Sequence, residues 1–194
     1  MSLISDQTFS VCVFCGASNP HEAAVRQITQ TIGRLIAEQD WTLIYGGGDL
    51  GLMGMVANSG LKSGGRVIGI IPDDMAKRER QHEGLSKLIV VNDLFSRKSL
   101  MMKHSDAFVI LPGGYGTLDE FFEVLTTKQL GLHDKPIVIL NTGGFWSHFL
   151  ESLRALAHCG YAPDHQELVS VVETPEEMVT AIRQTAHKQT TGAP

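Results

Sequence analysis

The chain has 194 residues, enough to bury one substantial core without disulfides or a structural metal. Hydrophobic residues make up 43% and charged residues 19%, which excludes a disordered or low-complexity chain, and the formal charge of -5 excludes the dense cationic surface that a long nucleic acid requires. The opening MSLISDQTFS lacks the basic-then-apolar order of a secretion signal and no apolar run reaches membrane-spanning length, so the expectation is a cytoplasmic protein with neither membrane nor nucleic-acid partner.

In chain order, FSVCVFC predicts a first strand, followed by a helix over 21–39, the strand WTLIYG, a helix over 51–63, the strands RVIGIIP and KLIVV and a helix over 94–104. The strand DAFVILP, a helix over 118–131, the strand PIVIL, a helix over 145–158, the strand LVSVV and a helix over 175–187 complete the pattern. Cys12 and Cys15 form a C-x-x-C inside the first strand, where positions three apart point to opposite faces and cannot share a ligand; both are expected in the core. Near-continuous Val/Ile/Leu strands require burial on both faces, which predicts an α/β fold: a doubly wound, Rossmann-like parallel sheet in a single domain over 1–187, with 188–194 a disordered tail.

Ligands of such sheets bind beyond the carboxyl ends of the strands, and three glycine-bearing loops fall there. They contain Gly16 and Ser18 after the first strand, Gly47 and Gly48 within Gly46–Gly51 after the second, and Gly113, Gly114, Tyr115, Gly116 and Thr117 after DAFVIL. A glycine run leading into a helix turns backbone N–H groups inward, and the helix dipole adds positive potential, so the third loop predicts a phosphate cradle. Thr117-Leu118-Asp119-Glu120 also reads as a capping box, in which Thr117 and Glu120 would only satisfy the helix's first amides. Gly46, Gly48 and Gly51 match the outline of a dinucleotide fingerprint, but they follow the second strand and a ribose-binding acid is only loosely placed at Asp73 or Asp74. No G-x-x-x-x-G-K-[ST] occurs, and no His/Cys/Asp cluster has metal-ligand spacing. Arg97 and Lys98 stand side by side near a helix start, placed to meet an anion or a leaving group.

Together, GASNP, YGGGDLGLMG, the Arg97-Lys98 pair, DAFVILPGGYGTLDE and QLGLHDKPIVILN resemble the LOG family of cytokinin riboside 5'-monophosphate phosphoribohydrolases over about residues 10 to 185. The resemblance implies hydrolysis of the N-glycosidic bond of AMP or an N6-substituted AMP, without cofactor or metal, by a homodimer. It implies catalytic roles for Arg97 and Glu120, and nucleotide contacts from Glu79, Lys98, Gly113 through Asp119 (Leu118 included) and Thr126. Asp93-Leu94-Phe95-Ser96 before Arg97, with Asp119 and Thr127, depart from the family's common D-M-H-x, Glu and Trp and bear on base preference. The glycine loops resemble those of molybdenum-cofactor carriers as well, which leaves a non-catalytic nucleotide or cofactor carrier as the alternative.

Overall fold

Strand residues with branched apolar side chains on both faces can be buried only if helices cover the sheet from each side, and the chain does this. A computed structural model describes residues 8–20, 22–78 and 81–191. Strands β1 (Ser10–Phe14), β2 (Thr42–Tyr45), β3 (Val67–Pro72), β4 (Lys87–Val91), β5 (Ala107–Ile110), β6 (Ile137–Leu140) and β7 (Ser170–Val172) form one sheet in the order β4-β3-β2-β1-β5-β6-β7. Every pairing is parallel.

The helices are α1 (Ala23–Glu38), α2 (Gly51–Lys62), α3 (Asp73–Arg78), α4 (Leu94–Lys103), α5 (Tyr115–Gln129), α6 (Ser147–His158) and α7 (Pro175–Thr191). One core joins α4, α5 and α6 to the sheet through Met101, Phe121, Val124, Leu150 and Leu153. The other joins α1, α2 and α7 through Ile32, Ile36, Val56, Met178 and Ile182. Cys12 belongs to the first and Cys15 to the second, as the alternation of a strand requires. At the sheet's margins, β7 has only three residues, and β4 carries an exposed lysine, Lys87, at its start.

Three expectations are corrected. Helix α5 begins at Tyr115, not Leu118, with Gly114 as its N-cap and no side-chain cap, so Thr117 lies inside the first turn and the Thr117–Glu120 capping box does not form. The extended glycine run permits the earlier start, because nothing at 114–116 obstructs a helical turn. Helix α7 continues past His187 to Thr191, so 188–191 are helical rather than a disordered tail; no Gly or Pro interrupts it before Gly192, and 192–194 lie outside the described residues. Helix α3, with Asp73 and Asp74 in its first turn, was not expected.

Candidate active site

The strand order reverses between β1 and β5, and the loops leaving these neighbours diverge to open a crevice. The amide of Gly16 donates to the Pro112 carbonyl at 3.1 Å, and that of Leu52 donates to the Gly16 carbonyl at 3.0 Å, so the loops after β1 and β5 and the start of α2 are tied together. Gly51, at φ +60°, lies so close to the Ala17 backbone that no side chain would fit there. The resulting cleft has a volume of about 490 Å³. Gly16, Ser18, Gly113, Gly114, Gly116 and Thr117 line it on one side, and Arg97, Lys98, Asp119 and Glu120 supply its charge. Leu52, Met53, Met75, Leu94 and Phe145 give it an apolar wall.

Helix α4 is started by Asp93, whose carboxylate accepts the Ser96 amide at 2.7 Å; that hydrogen bond holds the Asp93 carboxyl below its usual range. One turn later the helix delivers Arg97 and Lys98 side by side, both at least nine-tenths buried. Arg97 Nη2 stands 3.4 Å from Glu120 Oε1, while its Nε is buried without a hydrogen-bond partner. Lys98 Nζ donates to Asp119 at 2.9 Å and lies 2.5 Å from Glu123 Oε2. Burial opposes the charge on Lys98, but hydrogen bonds to Glu123 and Asp119 outweigh it and raise its pKa. Burial, reinforced by the charge of Glu120, pushes the Cys15 thiol far up, so it stands in the cleft as a neutral group rather than a nucleophile.

Two cations thus meet three carboxylates across the α4–α5 contact. The cluster carries one negative charge in excess, so the positive potential left for an incoming anion is that of the α5 amides, which no side chain caps.

Of the residues singled out in the sequence, Gly16, Ser18, Arg97, Lys98, Gly113, Gly114, Gly116, Thr117, Asp119 and Glu120 come together here. Gly47 and Gly48 do not: the Gly47 carbonyl accepts the His82 amide, and Gly48 pairs with Gln81, so both serve the segment after β3. Tyr115 is 92% exposed, Leu118 packs on the core beneath α5, and Thr126 is exposed further along the helix. Glu79 lies outside the described residues. Sequence reasoning missed Met53, Met75, Phe145 and Glu123, and named Leu94 only as a departure bearing on base preference. Met53 and Leu94 stand in the first turns of helices whose starts were legible, whereas nothing local marks Met75 or Phe145. Among the described residues no group of three or more His, Cys, Asp or Glu could hold a metal ion, and no helix is long and apolar enough to cross a membrane.

Residues 53–182 match the family model described as possible lysine decarboxylase. The chain is 44% identical over 176 residues to a cytokinin riboside 5'-monophosphate phosphoribohydrolase of Rhodococcoides fascians, covering 90% of this chain and 89% of the relative. It is 38% identical to the cytokinin riboside 5'-monophosphate phosphoribohydrolase LOG3 of Arabidopsis thaliana, over 91% of this chain and 82% of that one. Among solved structures, the Moco carrier protein of Chlamydomonas reinhardtii has the same fold, with a TM-score of 0.72 at 21% identity over 94% of this chain and 99% of that one.

Proposed function

The chain belongs to the family described as possible lysine decarboxylase, which includes relatives named cytokinin riboside 5'-monophosphate phosphoribohydrolases, and on that premise we propose that it hydrolyses the N-glycosidic bond of a nucleoside 5'-monophosphate. The substrate is AMP or an N6-substituted AMP such as a cytokinin riboside 5'-monophosphate, and the products are free base and ribose 5-phosphate. The observation that carries this reading is the half-buried Glu120, held 3.4 Å from Arg97 in a cleft that also contains the uncapped start of α5.

The 5'-phosphate binds the open amides of Gly114 to Gly116, which fixes C1' toward Glu120. As the bond from C1' to the base breaks, its electron pair leaves with the base nitrogen and positive charge grows on the ribose. The Glu120 carboxylate stabilises that charge and accepts a proton from the water that adds to C1', and the departing base nitrogen takes up one proton, so that the net change is addition of water across the C1'–N bond. A guanidinium is a poor proton donor, so the part of Arg97 is electrostatic: it orients Glu120 and steadies the phosphate or departing base. Met53, Met75, Leu94 and Phe145 offer the base an apolar wall. Amine chemistry of the kind the family description suggests would need a lysine able to shed its proton. Lys98, the lysine of the cleft, is instead held charged by Asp119 and Glu123.

The protein acts in the cytoplasm, without a nucleic-acid partner, as a homodimer. Phe121, Val124 and Leu125 of α5 are consumed by the chain's own core, but Phe122, Phe95, Phe145 and Tyr115 are exposed on α5 and around the cleft mouth, apolar surface that a symmetric copy would cover.

Incubation with AMP, N6-isopentenyl-AMP and adenosine, with chromatographic detection of free base, tests the reading. Both nucleotides release base, and adenosine is used at least about a hundredfold less efficiently because it lacks the phosphate that orients C1'. Nucleotide that is bound and recovered intact would instead make the protein a nucleotide or molybdenum-cofactor carrier.

A further inference from the structure

The run Gly46-Gly47-Gly48 contains a glycine whose need is not conformational. Gly47 and Gly51 adopt φ of +81° and +60°, where L side chains are strained, but Gly46 is not among the residues with positive φ. Its backbone would accept alanine, and it does not line the cleft. What excludes a side chain is space: a Cβ on Gly46 would fall on Arg97 Nη2, with Arg97 Cζ and Met53 Sδ each at 3.0 Å. All three nearest atoms belong to side chains, and two of them are the guanidinium. The bare Cα of Gly46 is therefore the surface on which the flat guanidinium lies while Nη2 reaches toward Glu120 at 3.4 Å.

We propose that Gly46 is a positioning residue, which by lacking a Cβ lets Arg97 lie where it faces Glu120. Its effect on catalysis passes through Arg97. A methyl group there displaces the guanidinium while the Met53 thioether yields slightly, and since Arg97 is buried and its Nε makes no hydrogen bond that would anchor it, displacement takes the guanidinium away from Glu120. The activity readout of this proposal rests on the function proposed above; the stability readout does not.

The experiment is a double-mutant cycle of wild type, Gly46→Ala, Arg97→Ala and the double variant, measured for AMP hydrolysis and thermal unfolding. Gly46→Ala lowers kcat by about thirtyfold or more, approaching the loss of Arg97→Ala, and in the Arg97→Ala background the same change alters kcat by less than about twofold. In the wild-type background Gly46→Ala lowers Tm by roughly 4 °C or more through overpacking. In the Arg97→Ala background, where the guanidinium is gone and only the flexible Met53 Sδ at 3.0 Å has to yield, it lowers Tm by less than about 1 °C. If Gly46→Ala alone fails to fold and the double variant folds, the proposal stands. Wild-type kcat and Tm in Gly46→Ala, equal losses in both backgrounds, or failure of both variants to fold would overturn it by assigning Gly46 to the backbone or to a ligand contact. If no variant, wild type included, hydrolyses AMP, the proposed function fails while the melting cycle still decides the role of Gly46.

Discussion

Replacing Glu120 by Gln changes one atom and removes one charge, and it isolates what that charge contributes. A carboxylate about 4 Å from C1' in a partly buried site of effective dielectric about 20 stabilises a full positive charge by about 4 kcal/mol. The partly developed charge of the transition state gains roughly 2 to 3 kcal/mol, so kcat should fall by about thirty- to one-hundred-fifty-fold. The fold should hardly notice. The Arg97–Glu120 separation of 3.4 Å is longer than a tight charge-assisted hydrogen bond, and the Gln amide oxygen can still face the guanidinium. A loss of about 1 kcal/mol, or roughly 2 to 4 °C in Tm, is expected. KM for AMP should change little, because in the proposed binding mode the α5 amides, not Glu120, hold the phosphate. The assay is steady-state base release from AMP by chromatography, paired with a melting curve. Since α5 starts at Tyr115 and no capping box forms, Glu120 has no capping duty that Gln could inherit. Glu120→Gln with wild-type kcat would therefore refute the charge-stabilisation argument outright.

Burial lowers the pKa of His165 and of His133, so the unfolded chain takes up protons before the folded one does, and stability falls as pH drops below about 6.5 toward the depressed values of the folded state. Urea midpoints should be lower at pH 5.5 than at pH 7.5, with a smaller difference in His165→Gln; a midpoint that rises on acidification contradicts this. For the homodimer, light scattering at micromolar concentration should give twice the chain mass of 21.2 kDa, and Phe122→Glu should shift it toward the monomer. A wild-type monomer mass would rule the dimer out.

Much of the sheet was readable because parallel strands buried on both faces leave unbroken apolar runs, and all seven runs became strands. Their spatial order was not readable: nothing within KLIVV says that it ends at one margin, or within FSVCVFC that it lies at the centre. The site divided along the same line. Arg97, Lys98 and the loop from Gly113 to Glu120 sit at element junctions, where local chemistry marks them. Met75 and Phe145 reach the cleft from segments brought near only by the completed fold. Glu123 escaped notice because its partner, Lys98, is 25 residues distant in the chain and meets it only where α4 packs beside α5. The glycine run was recognised, but its residues were assigned by analogy with phosphate loops. Side-chain space, which a sequence does not display, marks Gly46, where a Cβ would fall on the Arg97 guanidinium.

The margins of the sheet govern how crowded copies of this chain can meet. A row of unpaired strand amides is a template onto which another chain can zip, and a three-residue β7 offers too short a row to hold one. At the opposite margin Lys87 would have to be stripped of water wherever a second strand aligned with β4. Both ends of the sheet are thus poor seeds for the open-ended stacking that leads to fibres. Contacts between copies are left to the helical flanks, where an isologous pairing closes on itself instead of propagating.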